Sequence, residues 1–178
     1  MRFTDFLRAT VLTSAGAATV LAAITVLSAG THDSDLLVVY VSVAWWLVAT
    51  MIGSTLGRRG ETSPPIARLL ADARYQTILP ELHPGRTLLN RLWPLLLCTV
   101  AAGGLAVLAP QVPGIACGFA IIWSLAWRRQ DSAVLAVEER DGVTYYVERT
   151  SPIRPIQLVR TPGLRREVPT LTSVNGTR

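Results

Sequence analysis

The 178-residue chain contains no lysine, and all 17 of its cationic side chains are arginine. Alanine, glycine and proline are abundant, so the absence reads as codon usage in a GC-rich genome rather than selection for arginine's bidentate fork. Charge of either sign is scarce. Charged residues make up 16% of the chain, where a soluble domain carries about a quarter. There are two histidines and two cysteines, with no CxxC or Cys/His spacing, so no metal signature is present. No GxSxG, HExxH, phosphate-binding loop or dinucleotide fingerprint occurs, so no catalytic class and no cofactor is indicated. The long apolar runs hold no Asp, Glu, Lys, Arg or His. That removes the usual chemical basis of proton-coupled transport.

What the chain has is hydrophobic length. Half of its residues are hydrophobic and the mean hydropathy is +0.38. Four apolar runs cover residues 9–29, 36–57, 92–109 and 112–127. A membrane helix needs roughly 20 such residues, with a range of about 17–25. The first two runs meet that length, the third is at its lower limit and the fourth just below it. Pro110 and Gln111 alone separate the last two, which predicts a tight helical hairpin. The runs lack the polar stripe of a soluble amphipathic helix. The fold class expected is therefore a membrane all-α protein with four transmembrane helices in residues 1–129. The first run is longer than the apolar core of a signal peptide and reads as a retained helix.

The linkers give an orientation. The segment "GTHDSD" between runs one and two carries Asp33 and Asp35 and no arginine. Residues 58–91 hold six arginines against Glu61, Asp72 and Glu81. Residues 128–178 hold nine against six acids. In a four-span arrangement every arginine falls on one side, which is the positive-inside pattern. Both termini are expected in the cytoplasm, in a bacterial inner membrane. The net charge of +5 then reflects orientation, and nucleic acid is not expected as a partner. Trp93, Trp123 and Trp127 fall at the cytoplasmic interface, where indole rings accumulate.

Within the runs, small residues recur at four-residue spacing: Ser14, Ala18 and Ala22; Gly53 and Gly57; Gly114 and Gly118. Such faces allow helix backbones to approach closely in lipid, within one chain or in a homo-oligomer. Trp45 and Trp46 lie mid-span and are candidates for helix packing or for contact with an apolar ligand. Cys98 and Cys117 differ in expected depth by roughly 9 Å at ~1.5 Å per residue. A disulfide spans less than about 7 Å between Cα atoms, so free thiols are expected. His32, Asp33 and Asp35 read as a solvated turn.

Two cytoplasmic elements are expected. Residues 66–79 predict an amphipathic helix, capped by Ser63 with Pro64 in its first turn, lying along the bilayer surface. Residues 130–178 predict a β-hairpin and an extended tail. In the hairpin, residues 133–139 pair with 143–149 across a type I′ turn at Asp141-Gly142, setting Val137 against Tyr146 and Glu139 against Thr144. Residues 153–160 carry Pro155 and predict an edge strand or an extended segment. Tyr145, Tyr146, Arg160, Arg165 and Arg166 are candidate contacts for a protein partner or for anionic lipid headgroups. The end of the chain reads as flexible.

These features point to a non-enzymatic interaction protein, an adaptor or accessory subunit whose cytoplasmic hairpin and loop helix bind a membrane or cytoplasmic protein partner. The alternative is a homo-oligomeric transporter or a protein handling lipid or another apolar small molecule. A third class, an interfacial lipid enzyme, would draw on Glu81 and His83.

Overall fold

The computed structural model describes residues 1–29, 36–58, 60–76, 84–148 and 156–162. It is mostly helical with one small sheet. The long helices are α1 (Phe3–Ala29), α2 (Leu36–Leu56), α4 (Pro84–Gly104) and α5 (Gln111–Trp127). A single 3-10 turn, Leu105–Val107, extends α4. Among the described residues, three segments are long and apolar enough to cross a membrane: Phe3–Ser28, Leu37–Leu56 and Gly85–Val107. The uncharged α5 is shorter, at 17 residues.

The helix α5 packs along both α1 and α2 and also touches α4. Its contact with α1 buries Ala18, Leu21 and Cys117, and Ala102 of α4 joins them. Most hydroxyls of α1 donate to carbonyls of the same helix. Thr10, Ser14 and Thr25 donate to the carbonyls of Phe6, Thr10 and Leu21, each at 2.8 Å. These bonds let polar side chains be buried without stranded donors. Outward, the helices present Leu12, Leu27, Tyr40, Leu47, Met51, Val100 and Phe119. So large an apolar exterior suits hydrocarbon rather than water.

At one end of these helices sits a small cap. It consists of α3 (Pro64–Ala71), β1 (Arg74–Tyr75), α6 (Gln130–Asp141), β2 (Val143–Val147) and β3 (Leu158–Pro162). The strand order is β1-β3-β2. β3 is parallel to β1, with Arg74 against Val159, and antiparallel to β2, with Tyr146 against Val159. The outer edge of β2 is met by the start of the chain. Arg2 bridges to Tyr146, and the Val147 N–H donates to the Met1 carbonyl at 3.0 Å. One core unites the cap: Phe3, Phe6 and Leu7 of α1, Ile66 and Leu70 of α3, Val134 of α6, and Tyr145, Val147 and Leu158 of the sheet. Burying each large apolar side chain contributes about 1.5–3 kcal/mol.

The expected hairpin is not formed. Residues 130–141 are the helix α6, and β2 pairs with β3 instead. A type I′ turn needs positive φ at both central residues. Gly142 has φ 63°, but Asp141 remains helical. The Asp-Gly pair therefore ends a helix, with Gly142 as its left-handed cap. Ala, Leu, Glu and Arg favour the helix, and Asp131 in the first turn and Arg140 in the last suit its dipole.

The loop helix is also shorter than expected, ending at Ala71. One face of it is turned to the protein, with Ile66 and Leu70 buried in the core. Ser63 occupies the cap position, but its hydroxyl makes no capping bond. Its backbone N–H donates instead to Oε1 of the buried Gln130, at 3.0 Å. Gln130 thus ties the start of α3 to the α5–α6 junction. Finally, β3 is the central strand, not an edge. Thr77, Pro80 and Pro155 lie outside the described residues.

Candidate functional site

Two places bring chemically distinctive side chains together. The first is the sheet of the cap. Within it, Tyr145 is buried at 4% exposure, so its ring contributes to the core and offers no docking surface. This corrects its expected role as a partner contact. Tyr146 is half-buried, and Arg160 is exposed. Register places Arg160 between Tyr145 and Tyr75. Tyr75, on the edge strand β1, is 59% exposed and was not singled out in the sequence. Arg165 and Arg166 lie outside the described residues, as do His32, Asp33, Asp35, Glu81 and His83.

Beneath the sheet lies Glu138, near the end of α6. Its Oε1 accepts the Tyr145 backbone N–H at 2.8 Å. That amide sits on the side of β2 away from β3, so the carboxylate takes the place of a neighbouring strand. Burial raises the Glu138 pKa, opposed by the Tyr145 hydrogen bond and by nearby Arg2. The Tyr145 phenol is raised as well, first by burial. The amino group of Met1 is lowered by burial. No hydrophobic pattern in residues 130–141 distinguishes Glu138 from Glu139, and only the fold separates them.

The second place is a groove between α2 and α5. It encloses about 260 Å³ and is lined by Leu37, Val38, Val41, Ser42, Trp45, Gln111, Gly114 and Ile115. Glycine makes this contact possible. A Cβ on Gly114 would meet the Ser42 hydroxyl, and one on Gly118 would meet the Trp45 ring. Trp45 Nε1 donates to the Ile115 carbonyl at 3.2 Å, and its ring packs edge-on against Phe119 with centroids 5.6 Å apart. Trp46 turns inward, donating to the Gly114 carbonyl at 2.8 Å and packing beside Cys117. The two tryptophans therefore have different surroundings: Trp45 lines the groove and Trp46 lies in the helix core.

The remaining small residues lie at helix contacts within this chain. Ser14 is fully buried and Ala18 nearly so, and the Ala18 carbonyl accepts a weak bond from Cys117 Sγ at 3.3 Å. Ala22 packs beside them. Gly53 faces Ile122 and Leu125, and Gly57 faces the Leu125 carbonyl. Cys98 and Cys117 are both free, the first exposed and the second buried. Among the described residues, no three of His, Cys, Asp and Glu converge as a metal site requires.

Comparison with known proteins finds no matching family model, no similar curated protein and no similar solved structure.

Proposed function

We propose that this chain is a multi-pass protein of a bacterial inner membrane that acts without catalysis, as an adaptor or accessory subunit. In this reading α5 is a fourth span, inside a layer formed by α1, α2 and α4, and both termini and the cap are cytoplasmic. The observation that carries it is the pairing of an exposed aromatic with an exposed arginine on a fixed platform. Tyr75 on the edge strand β1 and Arg160 on the central strand β3 stand in register, in a sheet whose core is shared with α1. Aromatic and arginine side chains are the usual anchors of protein interfaces. An adaptor requires a docking surface held at a set distance from the membrane, and a core shared with a spanning helix supplies one.

The test is native mass spectrometry of protein gently extracted from its own membrane. A heterologous subunit at fixed stoichiometry is expected. Tyr75→Ala with Arg160→Glu should reduce its recovery at least tenfold while the monomer remains folded. Full retention by the double variant overturns the reading. Deleting residues 130–178 is a poorer test, because it would also expose Phe3, Phe6 and Ile66.

The groove at Trp45 favours a second reading, the handling of a lipid or other apolar small molecule. A homo-oligomer carrying a defined apolar ligand, lost on Trp45→Ala, would establish it. Unchanged ligand content in that variant would remove it.

A further inference from the structure

We infer that Arg58, Arg128 and Arg129 form a binding site for the phosphate of an anionic phospholipid, at the adjoining ends of α2 and α5. The inference rests on the membrane-spanning reading above, but not on the existence of a protein partner.

The geometry begins with the glycines. Gly57 lies against the Leu125 carbonyl so closely that a Cβ would collide with it. The ends of the two helices are therefore in backbone contact. Arg58 follows Gly57 directly, and Arg128 follows Leu125 by one helical turn. Arg129 reaches across, its Nη1 donating to the Arg58 carbonyl at 3.4 Å. Helix packing thus brings Arg129 to Arg58, and Arg128 adjoins Arg129 in the chain.

Among the described residues no carboxylate pairs with Arg58, Arg128 or Arg129. Asp131, the nearest acid in sequence to Arg129, is engaged by Arg8 at 3.4 Å. All three arginines are exposed. Their forked donors match phosphate oxygens. The partial negative charge at two helix C-termini supports cations there, but it does not satisfy the forks.

The surroundings choose a lipid over a soluble phosphate. The stacked rings of Trp123 and Trp127, with centroids 5.3 Å apart, mark the same end of α5, as indoles do at the headgroup level. Below the arginines the helix surfaces are apolar, with Met51, Leu56 and Trp123 exposed. A bound phosphate would thus have its acyl chains alongside a hydrocarbon-like wall.

The test titrates purified, detergent-solubilised protein with phosphatidylglycerol and phosphatidylcholine of matched chains, read by native mass spectrometry. Preference for the anionic lipid is expected. Arg58→Ala and Arg128→Ala should each weaken it about fivefold, and the triple alanine variant by up to roughly a hundredfold. Arg140→Ala, at the far end of α6, should leave it unchanged. The single variants are at exposed positions and keep the helix contact intact. Undiminished preference in both single variants overturns the site, as does equal loss in Arg140→Ala. Displacement of the lipid by millimolar inorganic phosphate would overturn the choice of lipid. A lost lipid preference with partner recovery intact, or the reverse, separates this inference from the adaptor reading.

Discussion

Gly57 shows how a single residue governs the meeting of two helices. An added methyl there meets a backbone carbonyl, which cannot swing aside as a side chain can. Gly57→Ala should therefore destabilise the protein by about 1–3 kcal/mol, as overpacking does. Gly16→Ala, with open space around it, should be neutral or slightly stabilising. Thermal unfolding in detergent compares the two. Glu138 is the other decisive residue. The folded chain holds its proton to higher pH than the unfolded chain, because burial raises its pKa from 4.5. Its contribution is therefore most favourable at low pH, and stability falls as pH rises from 4.5 through the raised value. Glu138→Gln keeps the acceptor for the Tyr145 N–H and removes the charge. That variant should be at least as stable as the parent at pH 7 and should lose this part of the pH dependence. Glu138→Ala strands the amide and should cost about 1–3 kcal/mol. Melting curves between pH 4 and 8 distinguish these outcomes.

At the scale of elements, α1 serves two environments. Phe3, Phe6 and Leu7 recur at helical spacing and face the cap, whereas Leu12 faces outward at 67% exposure. Leu7→Ala should cost about 2–5 kcal/mol through the cavity it leaves. Leu12→Ala should cost under about 1 kcal/mol, because no protein cavity results. Hydrogen exchange should show faster exchange in α3, α6 and the sheet for the first variant only. The start of α1 was legible as apolar spacing, but its partners were not. They come from residues 66, 70, 134, 145, 147 and 158, and no local pattern specifies such distant contacts. The strand 133–139 failed for a related reason. "AVLAVEE" suits a helix and a strand almost equally, and the Asp-Gly signal fits the end of one as well as the turn of the other. Burial of Val134 against α1 and α3 decides in favour of the helix.

For the whole molecule, the polar cap lies at one end of the long helices. The turn between α4 and α5, where Leu108 is 82% exposed, lies at the other. The proposed cytoplasmic location of the cap makes a direct prediction. In a cysteine-free background, Arg140→Cys should react with an impermeant maleimide in inside-out vesicles and remain unlabelled in intact spheroplasts. Leu108→Cys should show the reverse. Labelling of both from the same side would refute the arrangement and, with it, the α5 span.

The sequence by itself determined the long apolar helices, because hydrophobic length is a local quantity read directly from consecutive residues. It also determined their polar connections and the absence of familiar catalytic motifs. Tertiary structure alone decided what stands on the helices: that residues 130–141 are helical, that β3 is the central strand, and that Glu138 is buried while Glu139 is not. It alone brought Arg129 to the carbonyl of Arg58, 71 residues away in the chain. The physical reason is the same in each case. Where local preferences are nearly balanced, the difference is set by burial against residues distant in sequence.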